Sequence, residues 1–177
     1  MVRTAPYGAL MPTNSMTSAA DNSSTGPVLL CFDGSDDARR AIERAAAILG
    51  GGPALVVHVW EPLSSVVLRN PLIHSPGPLA EQAADLDEAG AEAAERLTAE
   101  GVEVARAAGF DAAPLCLRSD QRVWPPIVRL AEERRARAVV VGSRGLSKVG
   151  SMLLGSVSNG VVHHCRRPSL VVPSRES

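Results

Sequence analysis

Five short, mainly apolar runs punctuate the sequence, and residues with helical spacing or breaks separate them. In the intervening stretches, apolar residues recur three or four positions apart, the period of an amphipathic helix. Short continuous apolar runs are typical of parallel strands that are buried on both faces. The pattern therefore predicts an α/β protein in which helices cover both faces of a parallel sheet. The runs lie at residues 28–32, 54–60, 112–117, 138–141 and 168–173.

Helices are expected after each of the first four runs. Ser35, Asp36 or Asp37 can cap the first, because their side-chain oxygens accept from free backbone amides. Later helices are predicted over 79–108, from Trp124 onward and over 156–165. Residues 61–79 contain four prolines and no clear period, so a loop is predicted there. The third run contains Pro114, which a strand at the edge of a sheet tolerates.

The amino-acid composition excludes several classes of protein. The net charge is −1 and only 3% of the residues are aromatic, which disfavours a general nucleic-acid or membrane-surface binder. No run approaches the roughly 20 apolar residues of a membrane-spanning helix. Three widely separated cysteines predict no disulfide framework and favour a reducing compartment, hence the cytoplasm. Residues 1–26 are expected to form a disordered tail before a single domain at 27–175.

The segment after the fourth run carries the clearest chemical signal. Gly142-Ser143-Arg144-Gly145 is followed, after nine intervening residues, by Gly155-Ser156-Val157-Ser158. Glycines allow positive φ and close approach of a phosphate to backbone amides. The start of the next helix offers unpaired amides and a partial positive charge. Ser156 and Ser158 can add hydroxyls, and Arg144 and Lys148 can add charge. The alternative is a glycine turn that only joins strand to helix.

This spacing, Gly142-x2-Gly145-x9-Gly155-Ser156, resembles the nucleotide-binding motif of the ATP-binding branch of the universal stress protein family. The resemblance extends over about 27–173 and includes Asp33-Gly34-Ser35 after the first strand. It implies a three-layer, Rossmann-like fold similar to that of the adenine-nucleotide α-hydrolases. It also implies a five-stranded parallel sheet of order 3-2-1-4-5, in which Asp33 and the glycine segment face each other at the switch point between strands one and four.

The resemblance also implies roles for individual residues. Asp33 would lie near the adenosine, and backbone groups of Val59 would recognise the adenine edge. The glycines would surround ribose and phosphates, and the amides and hydroxyls at the following helix start would hold phosphates. Alternatives remain: Asp33 as a helix cap, Val59 as a plain strand residue and Arg144 as a solvated side chain. The predicted nucleotide-binding set is Asp33, Val59, Gly142, Arg144, Gly145, Gly155, Ser156, Val157 and Ser158.

The predicted function is an ATP-binding regulatory protein of the stress response, with ATP as cofactor and Mg²⁺ as its accompanying ion. A slow ATP hydrolase and a nucleotide-independent scaffold are the alternatives. The sequence has no P-loop motif and no evident general base, so no catalytic residue is assigned. His163, His164 and Cys165 are adjacent on a predicted helix and point about 100° apart, so no metal site is predicted.

The sequence also bears on assembly, and it departs from the family pattern at two places. The resemblance implies a homodimer through the last strand, Ser169 to Val172, which would lie at an exposed sheet edge. Arg137 stands where the family usually has an acid, which calls the packing of the neighbouring helix into question. The stretch Trp124-Pro125-Pro126 is unusual and has no role in the predicted function.

Overall fold

The five apolar runs form the five strands of one sheet in the computed structural model, which describes residues 26–70, 72, 76–145 and 154–174. The predicted tail, apart from Gly26, and Lys148 lie outside those residues. The elements are β1 (Val28–Cys31), α1 (Asp36–Leu49), β2 (Gly52–Trp60), α2 (Leu63–Arg69), α3 (Pro76–Ala107), β3 (Phe110–Arg118), α4 (Trp124–Glu133), β4 (Ala138–Gly142), α5 (Ser156–His164) and β5 (Ser169–Val172).

The sheet is parallel throughout and has the order β3-β2-β1-β4-β5, which confirms the predicted fold. At its centre, Leu29 lies opposite Leu55 on one side and Val139 on the other. The chain runs outward from β1 to β3 and then returns to place β4 on the other side of β1. This reversal creates a switch point, where the loops after β1 and β4 diverge and leave a crevice.

Two apolar layers bury alternate residues of the same strands, as the period of two in a strand requires. One layer contains Leu30 and Val140 and packs against α1 and α3. The opposite layer contains Leu29 and Val139 and packs against α4 and α5. All four of these strand residues are fully buried. The helices that lie over the switch point on the second face are therefore α4 and α5.

The prediction of a loop over residues 61–79 is wrong where α2 and the start of α3 occupy it. The apolar residues of α2 show no clear helical period, so the pattern did not predict this helix. Contacts with another helix stabilise its start. Asp87 of α3 accepts hydrogen bonds from the backbone amide of Leu63 (2.7 Å) and from the hydroxyl of Ser64. A capping carboxylate 24 positions away leaves no local signal in the sequence.

Two sequence features find their explanation in the fold. Pro114 lies in β3 at the sheet edge, where its missing amide faces away from β2. Arg137 reaches the end of α1, which has no basic residue of its own in its last turn. Its guanidinium donates to the carbonyl oxygens of Leu49 and Gly50, both at 3.3 Å, and of Gly51 at 3.5 Å. The cation thus satisfies the unpaired carbonyls of a helix terminus.

Candidate functional site

A cavity of about 290 Å³ opens at the carboxyl ends of β1, β2 and β4. Loops at this edge of a parallel sheet are where ligands bind in open α/β folds. Sequence reasoning predicted nine residues for a nucleotide site, and all nine line this cavity. They are Asp33, Val59, Gly142, Arg144, Gly145, Gly155, Ser156, Val157 and Ser158.

Asp33 enters the site through the turn between β1 and α1. Its Oδ1 accepts hydrogen bonds from the backbone amide (3.0 Å) and the hydroxyl (2.6 Å) of Ser35. Ser35 is the N-cap of α1, and its Oγ accepts from the amide of Ala38 at 3.1 Å. Gly34 has φ +82°, a conformation that favours glycine. Asp33 therefore supports the cap from outside the helix and keeps Oδ2 directed towards Gly145.

Gly142 and Gly145 are required for space rather than for backbone conformation, since neither has a positive φ. A Cβ on Gly145 would collide with Oδ2 of Asp33. A Cβ on Gly142 would lie 3.1 Å from the carbonyl carbon of Asp37, at the start of α1. The expectation that these glycines supply positive φ is therefore corrected. Their missing side chains let the loop after β4 approach α1 and the Asp33 carboxylate.

The start of α5 lines the cavity. Some of its polar groups make hydrogen bonds within the loop, and others have no backbone acceptor among the described residues. The amide of Gly155 donates to the carbonyl oxygen of Ser143 at 2.7 Å. Ser158 is buried, and its Oγ lies 3.0 Å from the carbonyl oxygens of both Ser143 and Gly155. These two groups therefore hold the loop in place. The amides of Ser156 and Val157 have no backbone acceptor among the described residues, and the first turn of α5 carries no acid.

Ser143 is the residue that the sequence analysis missed in this loop. Besides its two contacts with the start of α5, its amide donates to the carbonyl oxygen of Val172 at 2.7 Å. Its hydroxyl accepts from the amide of Ser174 at 2.9 Å. Because Ser143 is buried and bonded on both sides, it fixes the start of α5 relative to β5. A serine beside a glycine gives no sequence signal for such a role.

Val59 offers backbone groups to the cavity. The amide of Phe32 donates to the carbonyl of Val57 at 3.0 Å, so the backbone polar groups of Val57 point towards β1. Groups two residues further along a strand point the same way, so those of Val59 also face the β1 side. β1 ends at Cys31, and His58 Nδ1 lies 2.8 Å from the carbonyl oxygen of Phe32. The amide and carbonyl of Val59 thus face the gap that β1 leaves.

The remaining wall is apolar. Val123 and Ile127 come from the start of α4, and Val141 comes from β4. Cys31 contributes a thiol whose pKa is raised to about 12, mainly by burial and further by the charges of Asp33 and Cys165. The thiol is therefore neutral at physiological pH and behaves as a small apolar group. Apolar lining residues resemble any core residue in the sequence, which is why the pattern did not single them out.

One half of the cavity is apolar, and the other half, at the start of α5, offers backbone amides. These two halves suit a ligand with an apolar planar end and an anionic end. Arg144 is exposed beside the amides of α5 and adds positive charge there. A sequence profile of the universal stress protein family matches residues 25–173. The chain belongs to the universal stress protein family. The match includes every residue that lines the cavity.

Individual relatives agree with this assignment. A universal stress protein of Thermus aquaticus, from the region 3′ of a QAH/OAS sulfhydrylase, is 34% identical over 147 residues, which cover 82% of this chain and 96% of that protein. Among solved structures, the hypothetical protein MJ0577 superposes with a TM-score of 0.68 at 21% identity, covering 86% of this chain and 98% of that one. A universal stress protein in complex with cAMP gives 0.51 at 25% identity, covering 83% and 95%.

Within the described part of this universal stress protein, no three His, Cys, Asp or Glu side chains come together as metal ligands. His164 instead stacks on Trp124, with ring centroids 4.3 Å apart. No helix among the described residues is both long and apolar enough to cross a membrane.

Proposed function

We propose that this universal stress protein binds an adenine nucleotide, with ATP as the main ligand, and acts as a regulatory protein of the stress response. One observation carries the proposal. The amides of Ser156 and Val157, which have no backbone acceptor among the described residues, lie in the same cavity as the side-chain-free Gly145, at the switch point of the sheet. Such amides at a helix start bind phosphate through hydrogen bonds and the helix dipole.

The other end of the cavity fits the adenosine. The base would lie against the apolar wall of Val123, Ile127 and Val141, with the backbone groups of Val59 at its polar edge. Oδ2 of Asp33 would accept a hydrogen bond from a ribose hydroxyl, since Oδ1 already holds Ser35. The universal stress protein solved with cAMP supports an adenine nucleotide as the ligand class.

Two of the predicted roles are revised in this proposal. The amide of Gly155 and the hydroxyl of Ser158 serve the loop, so the phosphate contacts fall to Ser156, Val157 and Arg144. Mg²⁺ would arrive as the ion bound to ATP rather than in a site of the protein's own. We assign the protein a binding role without turnover.

One pair of variants tests the amides directly. Ser156 is the first residue of α5, where proline is favoured and lacks only an amide that the helix does not use. Gly155 before it has φ −70° and ψ 167°, which the residue before a proline adopts readily. Ser156→Pro therefore deletes one amide donor and leaves the helix start intact. Ser156→Ala is the matched control, because it deletes the hydroxyl and keeps the amide.

We expect wild type to bind ATP in calorimetry, and saturation at 100 times Kd to stabilise it by about 2.7 kcal/mol. For a protein of this size that raises Tm by roughly 5–11 °C. Ser156→Pro is expected to weaken ATP binding at least about tenfold, because the protein loses one hydrogen bond to a charged group. Ser156→Ala is expected to weaken it less, and adenosine should bind both variants equally. Wild type that binds neither ATP nor any other adenine nucleotide would refute the proposal.

Two further parts of the proposal concern assembly and location. Among the strands that the structure describes, β5 pairs with β4 alone, and a two-fold pairing of its outer edge would give a homodimer. Leu170 and Val171 on this strand are half-buried in the single chain. We also place the protein in the cytoplasm, which its three unpaired cysteines favour.

A further inference from the structure

The stretch Trp124-Pro125-Pro126 begins α4 and plays no part in the function proposed above. The prolines suit the first turn of a helix, and Pro126 is buried there. Trp124 is of more interest because of its neighbours in the chain. Val123 precedes it and Ile127 follows three residues later, and both line the apolar wall of the cavity. Any shift of Trp124 therefore moves that wall.

Trp124 contacts α5 at two points. A Cβ on Gly160 would collide with three atoms of the indole ring, Cγ, Cδ1 and Cδ2, so the ring lies directly on the helix backbone. One turn further, the ring of His164 stacks on the indole with an interplanar angle of 10°. Gly160 itself is buried and follows the cavity-lining residues Val157 and Ser158 by three and two positions.

Trp124 thus joins the two helices that each contribute a wall to the cavity. α4 carries the apolar wall, and α5 carries the amides that have no backbone acceptor in the described part of the chain. We propose that Trp124 is a positioning residue: seated on Gly160 and stacked on His164, it sets the separation between the wall that holds the base and the amides that hold the phosphates. This inference rests on the proposed nucleotide site. A glycine at 160 is then needed because any side chain would push α4 away from α5.

The test uses one ligand that spans both walls and two that touch only one. ATP spans them, adenosine needs the α4 wall, and inorganic tripolyphosphate needs the α5 amides. The variant is Gly160→Ala, whose methyl must displace the indole. The matched control is Gly90→Ala, another helical glycine that faces the other tryptophan. There the added Cβ would lie 3.5 Å from Trp60, an ordinary contact. Calorimetry gives the three affinities for each protein.

We expect Gly160→Ala to bind ATP at least about tenfold more weakly, equivalent to about 1.4 kcal/mol. Adenosine and tripolyphosphate are expected to keep their wild-type affinities, because each wall stays intact. A general loss of structure would weaken all three ligands together and would overturn the inference, as would unchanged ATP affinity. If Gly160→Ala does not fold, Trp124→Phe, which shortens the spacer without a clash, is expected to give the same selective loss for ATP.

A second measurement needs no ligand and separates the two proposals. Cys31 lines the cavity, and burial keeps its thiol neutral and slow to react. A wider cleft admits both water, which lowers the pKa of this thiol, and a small alkylating reagent. Labelling of Cys31 at alkaline pH, read by peptide mass spectrometry, therefore reports how open the cleft is. We expect Cys31 to react several-fold faster in Gly160→Ala than in wild type or Gly90→Ala. Faster labelling in a protein that binds no adenine nucleotide would leave the role of Trp124 standing and refute the nucleotide site. Unchanged labelling would refute the role of Trp124.

Discussion

Replacing Gly145 by alanine tests whether the glycine after β4 is there to leave room for the Asp33 carboxylate. The added methyl would overlap Oδ2 of Asp33. The carboxylate cannot turn away freely, because Oδ1 holds the amide and hydroxyl of Ser35, which in turn caps α1. A rotation of Asp33 therefore breaks two hydrogen bonds to a charged acceptor. Asp33 is only half-buried, so we count each bond at the roughly 1 kcal/mol of an ordinary hydrogen bond, about 2 kcal/mol in total.

A loss of about 2 kcal/mol corresponds to a fall in Tm of roughly 4–8 °C for a chain of this size. The same variant is expected to weaken ATP binding at least about tenfold, since the methyl and the displaced carboxylate both intrude on the ribose position. Urea denaturation gives the free energy of unfolding, and calorimetry gives the affinity. Retention of both wild-type values by Gly145→Ala would refute the geometry described for this pair.

A double-mutant cycle separates this collision from a general effect of alanine at position 145. Asp33→Ala removes the atoms that the methyl would strike. In that background Gly145→Ala is expected to cost much less than in wild type, which gives a coupling energy of about 1 kcal/mol or more. Additive effects of the two substitutions would show that Gly145 and Asp33 do not act through their contact, and the shortage of space would then be the wrong explanation.

Three other predictions follow from the contacts of the fold. The hydroxyl of Ser64 and nearby amides lower the pKa of Asp87 below 3.8, so this carboxylate stabilises α2 at neutral pH and ceases to do so as pH falls below that value. Hydrogen-exchange protection factors in α2, which are corrected for the pH dependence of intrinsic exchange, are expected to fall on acidification in wild type but to depend less on pH in Asp87→Asn. Arg137→Ala is expected to lower the free energy of unfolding by about 1–2 kcal/mol, because three carbonyls lose their donor. An unchanged midpoint of urea denaturation would contradict this. Val171→Lys, on the outer strand, is expected to convert the dimer to monomer in analytical ultracentrifugation, whereas a wild type that sediments as monomer would refute the dimer itself.

The sequence predicted the members of the site better than their individual roles. Parallel strands bring their carboxyl ends to one edge, so a glycine segment after β4 and Asp33 after β1 meet once the order of the strands is known. The roles depend on which hydrogen bonds are already made. Gly155 and Ser158 use theirs on the loop, through partners such as Ser143 that spacing does not reveal.

The wrong prediction at α2 has a related cause. A helix of seven residues is marginal unless other parts of the fold stabilise it. Here the stabilising groups come from Asp87 on α3 and from Asp120, which accepts from the hydroxyl of Ser65 at 2.8 Å. Periodicity detects helices that bury an apolar face, whereas α2 buries no residue completely. Its position is decided by polar contacts between distant residues, which a local pattern cannot show.

The three glycines of the motif differ in the space that surrounds them, and this difference bears on how the motif should be used. A Cβ on Gly142 would lie 3.1 Å from the carbonyl carbon of Asp37 in α1 and 3.1 Å from the carbonyl oxygen of Arg144, so this glycine is crowded mainly by backbone. Gly155 has room for a methyl group, since the nearest atom to its Cβ would be 3.5 Å away. Of the three, only Gly145 would bring a Cβ into collision with a side chain of the site, at Oδ2 of Asp33. A related chain that keeps Gly142 but has a larger residue in place of Gly145 is therefore expected to retain this fold and lose the nucleotide, so position 145 is the one that should separate binders from non-binders within the family.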